Sequence, residues 1–435
     1  MTHNITKFNN NLRVIHELPF TKNNYTAINF IIEYGSVHEP PNQKGSAHYI
    51  EHMCFKGNSK IKSGIDMSAT FDKMGVYTNA YTEKKFTNYI FICPNKYIFE
   101  TIDLATYMIF FSHFDKLEFK KEYNVVLEEN HRDQQDFEQQ MNILIDQFIY
   151  NGSCYEKPID NIHFHKTKLK RDDLYKLYKK YYTPDKVILS LCSSIPFSSI
   201  VKFCKSHIVS KHTSKRCASY NLSLVLPSQN SYKIITKKEK LTDVTFLTLT
   251  YKTCSYFNED IYVINFIKHM FNCGMSGRLF INLREKHGLT YASSADTNFF
   301  EHSGDFSISC ETTFKKFFGK NNTFDVVIHL LNDIFNNKIT DKEIEKVKGY
   351  IYGQDSISLN DNKYICEYNS INLLLNNLTH SVKNEYDLKT KNIKREDIRR
   401  VINKYFNKNN LTLCILSNKT ITEQQIIPYI NNLVL

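Results

Sequence analysis

The chain has 435 residues, 42% of them hydrophobic and 23% charged, with only 13 glycines and 9 prolines. That is apolar surface enough for packed cores over two or three domains, and it excludes collagen-like, low-complexity and disordered chains. The formal charge of +11 would suit nucleic acid if it lay on one face, but the basic residues alternate with acids, as from Lys168 to Asp173 and from Lys394 to Arg400, which points to a mixed solvated surface and no nucleic-acid partner.

The first twenty residues, MTHNITKFNNNLRVIHELPF, contain no apolar signal core, and their apolar alternation begins too early to leave room for a transit peptide. Eleven cysteines without a C-x-x-C pair indicate free thiols. No apolar run reaches the roughly 18 to 20 residues of a membrane span. A soluble protein of a reducing, intracellular compartment is expected, cytoplasmic rather than mitochondrial.

YTAINFIIEYGS, from Tyr25, reads as a strand, and FTNYIFIC, from Phe86 to Cys93, as another; TIDLATYMIFFSHF and the segment from Phe119 to Tyr150 carry apolar residues at helical spacing. Leu169 to Cys192 reads as helix then strand, with Pro184 at the break. A polar stretch over 211–229 reads as a linker. Beyond it, VTFLTLTYKTCS near Val244 is again an alternating β run.

Ile393 to Cys414 repeats the helix-then-strand pattern of Leu169 to Cys192. Arg171 and Arg395, Lys180 and Lys404, and Tyr181 and Tyr405 are all offset by 224 residues, and Cys192 and Cys414 by 222. The period is about half the chain. The expected fold is therefore α+β, with two homologous domains over 1–210 and 230–435, each a mixed or antiparallel sheet packed against helices.

The sharpest local feature is His48-Tyr49-Ile50-Glu51-His52. On a helix, His48 and His52 share a face and present two imidazoles to one cation, with Glu51 beside them; this is the inverted zinc-peptidase spacing H-x-x-E-H. A catalytic zinc takes a third protein ligand, and the segment from Glu122 to Glu129 offers carboxylates. At about 100° per residue, Glu129 is rotated only about 20° from Glu122, whereas Glu128 faces elsewhere. Glu129 is the expected third ligand, and Glu122 the carboxylate that orients a ligating histidine. A structural zinc site fits poorly, since such sites are closed by four protein ligands, and Cys54 points about 200° away from His52.

With these residues the chain resembles the pitrilysin family of zinc metallopeptidases, which includes insulin-degrading enzyme and the catalytic subunit of the mitochondrial processing peptidase. In that family the ligand glutamate follows the second histidine by 77 residues, as Glu129 follows His52 here. Gly45 to Gly57 follows the family pattern closely. Gly277, before Arg278-Leu279, departs from the small polar residue that relatives commonly have there.

The resemblance, which runs from about Asn29 to Asn418, implies a zinc endopeptidase with one Zn2+ per chain and Glu51 as general base. It implies that Asn79 and Ala80 lie on an edge strand that receives an extended peptide by β-augmentation. Arg284 and Tyr291 would bind the substrate carbonyl or developing oxyanion in a closed chamber. Because the zinc motif and the Arg-x6-Tyr element each occur once, the resemblance also implies a homodimer with sites completed in trans, or a heterodimer with a sister subunit. The alternative it leaves is a non-catalytic scaffold or peptide-binding subunit of a larger complex.

Overall fold

The computed structural model describes residues 3–159, 169–212, 229–239, 243–318, 321–336, 338–375 and 381–434; most of the expected linker over 211–229 lies outside these. Six helices matter below: α1 (Ser46–Cys54), α2 (Lys116–Gln135), α3 (Phe137–Ile149), α4 (Arg171–Tyr181), α5 (Asn362–Leu375) and α6 (Arg395–Tyr405).

The chain folds as two compact units, each built on one sheet. The first sheet takes β1 (Asn4–Lys7), β2 (Arg13–Glu17), β3 (Tyr25–Ile32), β4 (Tyr77–Thr82), β5 (Thr87–Pro94) and β6 (Val187–Cys192), in the spatial order β1-β2-β6-β3-β5-β4. The second takes β7 (Lys233–Lys238), β8 (Val244–Thr253), β9 (Ala292–Phe299), β10 (Gly304–Thr313) and β11 (Leu411–Ser417), in the order β7-β11-β8-β10-β9. Without β1 the two paths are the same. In both, the outer pair is parallel (β2 with β6, β7 with β11) and every other pairing is antiparallel. The duplicated helix-then-strand segments are α4 with β6 and α6 with β11, so the 224-residue offset is the signature of a doubled α+β fold.

Strand β3 is buried from Thr26 to Ile32 because both faces of its sheet are covered. On one face Ile28, Phe30 and Ile32 join the core built with α1, α4 and the helix Ile98–Phe110. On the other, Ala27 and Ile31 meet Ile365, Cys366 and Leu373 of α5. Polar bonds fix that helix: Asn362 donates to the Tyr25 carbonyl at 2.9 Å, Ser190 to the Cys366 carbonyl at 2.9 Å, and Asn369 to the buried Glu17 carboxylate at 2.8 Å.

In the second unit α3 takes the equivalent place. It packs on β11 and β8, with the Phe137 and Phe246 rings 5.8 Å apart.

The units are consequently discontinuous in sequence. The first comprises 1–134, 157–223 and 356–384, and the second 135–156, 224–355 and 385–435. This differs from the contiguous division into 1–210 and 230–435. Each half of the chain lends one helix to the other half's sheet, and an amphipathic helix covers any apolar face of matching shape regardless of sequence distance. The single helical stretch read from Phe119 to Tyr150 is two helices, α2 and α3, separated where Asp136 caps α3 by accepting from Glu138 N and Gln139 N.

No helix among the described residues is long and apolar enough to cross a membrane. The described cysteines are free thiols, nearly all buried.

Candidate metal centre

Helix α1 starts at Gly45, whose φ of 82° lies in the left-handed region that costs a glycine little. Instead of a capping side chain at that position, the buried carboxylate of Glu39 accepts from Gly45 N and Ala47 N, both at 2.8 Å. Burial pushes Glu39 up to about 7, against the pull of those two amides. At the other end, Gly57 has a φ of 116°, and a Cβ there would stand 2.1 Å from the Lys62 carbonyl oxygen. Together they hold α1 at fixed ends. Tyr49 ties it sideways to α2, its hydroxyl donating to the Phe119 carbonyl.

One turn apart on α1, His48 and His52 bring their Nε2 atoms to 3.1 Å, with ring planes at 89°. Glu129 of α2 places Oε2 at 3.3 Å from His52 Nε2 and 3.8 Å from His48 Nε2. Glu128 is exposed. Three donors around a tetrahedral ion at about 2.0–2.1 Å would stand about 3.3–3.4 Å apart. The observed spacings lie within about half an ångström of that, so two imidazoles and one carboxylate fit a divalent cation such as zinc. Among the described residues they form one cluster of potential ligands whose donor atoms all lie within 4.8 Å of one another.

The supporting shell fixes the ring nitrogens. His52 Nδ1 meets Glu122 Oε1 at 2.8 Å, and Glu122 Oε2 pairs with Lys56 Nζ at 2.6 Å. With its hydrogen on Nδ1, His52 presents a bare Nε2 to a cation. Burial alone would lower His52, but its bonds to Glu122 and Glu129 outweigh it and raise the metal-free imidazole to about 9. Glu122 answers in the opposite direction: burial would raise it, yet the bonds from His52 and Lys56 hold it below the ordinary carboxylate value. Glu129 is likewise held down, chiefly by His52.

Glu51 lies beside His52 and is only 7% exposed. Its Oε2 accepts from Thr82 Oγ1, at the end of β4, at 2.6 Å. A groove of about 490 Å³ opens over the cluster, lined by His48, Glu51, His52, Glu129 and the β4 residues Asn79 and Ala80, with Phe55 and Arg132 on its walls. Among the described residues, β4 is the edge strand of its sheet. Asn79 folds its own Oδ1 back onto the Ala80 amide at 2.9 Å.

The structure thus gathers His48, Glu51, His52, Asn79, Ala80, Glu122 and Glu129 around one groove. Arg284 and Tyr291 belong to the second unit. They meet each other, the guanidinium lying 5.6 Å from the Tyr291 ring centre and 5.3 Å from that of Phe280, with Tyr291 84% exposed. Arg284 sits on a π-helical segment, Phe280–Lys286, closed by Gly288 at a φ of 56°. Sequence reasoning gave no role to Glu39, Lys56 or Thr82. Lys56 carried a signal, standing one turn after His52; Glu39 and Thr82 carried none, because their partners lie across loops.

Residues 19–159 match the family model for insulinase, peptidase family M16, and residues 168–350 match the model for the peptidase M16 inactive domain. A Bacillus subtilis protein, the uncharacterized zinc protease YmxG, is 30% identical over 354 residues, covering 80% of this chain and 83% of that one. An uncharacterized zinc protease of Rickettsia bellii is 28% identical over 319 residues, 72% of this chain and 74% of its own. In fold, a protease from Helicobacter pylori superposes with a TM-score of 0.88 at 19% identity, over 96% of this chain and all of the other. The periplasmic protease PqqL of Escherichia coli gives 0.81 at 16% identity, over 99% of this chain and 50% of that one. The chain belongs to peptidase family M16, the insulinase or pitrilysin family of zinc metallopeptidases.

Proposed function

We propose that the protein is a zinc-dependent endopeptidase acting on peptides or unfolded segments held in extended form. The observation that carries this reading is the convergence of His48, His52 and Glu129 at ligand spacing with Glu51 beside them. A zinc ion held by His48 Nε2, His52 Nε2 and a Glu129 carboxylate oxygen would supply Lewis acidity toward water and the substrate carbonyl.

The chain's own residues do the rest. Strand β4 offers its free edge at Asn79 and Ala80, so a peptide gains affinity through main-chain pairing that demands no particular sequence. Glu51 takes a proton from the attacking water and returns it to the leaving amine. Glu122 keeps the His52 hydrogen on Nδ1. Arg284 and Tyr291 are assigned to the substrate carbonyl or oxyanion. Since the motif occurs once, we assign their action to a second copy, in a homodimer whose closed chamber is completed in trans, or to a sister subunit. One zinc per chain and an intracellular, reducing compartment complete the reading.

The scaffold alternative finds support in the match of 168–350 to an inactive-domain model, but the metal cluster lies in 19–159, outside that match. The test is metal analysis with hydrolysis of a quenched peptide library by wild type and Glu51→Gln. Zinc in both, with cleavage by wild type alone, supports the enzyme; zinc without cleavage in either supports the scaffold. A fully active monomer in sedimentation would contradict completion in trans.

A further inference from the structure

We propose that Thr82 is a positioning residue for the general base: its hydroxyl orients the Glu51 carboxylate from the strand that receives the peptide. The inference rests on the peptidase reading above and adds to it a residue that neither binds metal nor lines the groove.

The last torsion of a glutamate is broad and nearly two-fold, so backbone placement on α1 alone does not choose an orientation for its carboxylate. Thr82 Oγ1 donates to Glu51 Oε2 at 2.6 Å, between side chains only 8% and 7% exposed. A short bond to a charged acceptor in such a buried place is strong and directional.

The direction of that bond is set by proton count. A threonine hydroxyl has one hydrogen, and Thr87 Oγ1, 3.4 Å from Thr82 Oγ1, sends its own to the Tyr34 carbonyl at 2.9 Å. An ionised carboxylate carries no hydrogen, so in the 2.6 Å bond Thr82 is the donor.

The position of Thr82 does not depend on its own hydroxyl. The hairpin that follows β4 is held by main-chain bonds: Ser36 N to Glu83 O at 3.3 Å, Val37 N to Lys84 O at 2.9 Å, and Glu83 N to Phe86 O at 2.7 Å. Gly35 permits this approach, for a Cβ there would stand 2.2 Å from Glu83 O. Thr82 sits at the mouth of this bracket. Asn79 and Ala80 line the groove and Thr82, on the same strand, bonds the base, so the substrate edge and the base are referred to the same piece of backbone. Removing the hydroxyl should harm turnover and leave binding alone.

Thr82→Val keeps shape, β-branching and burial while deleting the donor; Thr82→Ser keeps the donor. In zinc-loaded protein, Thr82→Val should lower kcat ~10- to ~100-fold, the size expected when a charged group loses a hydrogen bond. KM should stay within about twofold and zinc content should not change, while the melting temperature falls by a few degrees in Thr82→Val and recovers in Thr82→Ser. Thr82→Ser should restore most of kcat. In metal-free crystals, Glu51 should hold one carboxylate orientation in wild type and a rotated or divided one in Thr82→Val. Wild-type kcat in Thr82→Val, or an equal loss in Thr82→Ser, would overturn the inference and leave the peptidase reading standing. A wild-type protein that cleaves no peptide would overturn both.

Discussion

The imidazole of His52, raised to about 9 by its bonds to Glu122 and Glu129 against the pull of burial, makes zinc affinity a function of pH. Below that value the metal-free site holds a proton on His52, and a cation must displace it to bind. Apparent affinity should therefore fall about tenfold for each pH unit below 9 and level off above it. Between pH 9 and pH 7 the two-unit gap is about 100-fold, or ~2.7 kcal/mol at 1.36 kcal/mol per unit. Glu122→Gln should move the plateau to lower pH. The amide can accept from His52 but carries no charge to hold a proton there, and its NH2 would face Lys56 Nζ, donor against donor. Because the lost carboxylate also orients the ring, affinity at pH 9 should drop ~10- to ~100-fold. Competition with a chromophoric chelator at several pH values measures the profile, and calorimetry in two buffers of different ionisation enthalpy counts the protons released. Affinity independent of pH from 7 to 8.5 in wild type, with no proton released, would show that no proton on His52 competes with the metal.

Glu129→Gln should lose most bound zinc while Glu128→Gln retains it, read by metal content after gel filtration; equal zinc in both would place the third ligand elsewhere. Stability should fall in acid because His38, buried with its Nδ1 accepting from Gly35 N at 3.1 Å, is lowered to about 3 by burial and by nearby Lys85 and Lys186. A depressed folded-state value means the unfolded chain takes the proton first, so this contribution is whole above about 6.5 and is lost as pH falls toward 3, at up to about 1.4 kcal/mol per unit. Urea unfolding at pH 7 and pH 5 tests the sign, which would be wrong if stability rose. Gly57→Ala should destabilise by at least about 2 kcal/mol, since φ is strained for any side chain and the Lys62 carbonyl stands in the way; an unchanged melting temperature would count against that geometry.

The cluster of candidate ligands was legible because it obeys local rules. The helical period alone separates Glu129 from Glu128 and lines up His48 with His52, and both distinctions hold in three dimensions. The doubled fold was legible for a similar reason: α4-β6 and α6-β11 keep matched residues at a constant offset. The exchange of α3 and α5 was not, since their apolar faces state that something covers them without stating which sheet. Thr82 was hidden differently. Its role depends on a bond to a residue 31 positions away, and nothing in a threonine at the end of a strand separates a positioning hydroxyl from an ordinary β-branched filler.

A crystal of the zinc-loaded protein, measured on both sides of the zinc absorption edge, would locate the ion and its ligands. One anomalous peak per chain is expected, about 2.0–2.2 Å from His48 Nε2, His52 Nε2 and a Glu129 carboxylate oxygen. A peak ligated by cysteine sulfur, or none between α1 and α2, would contradict this assignment.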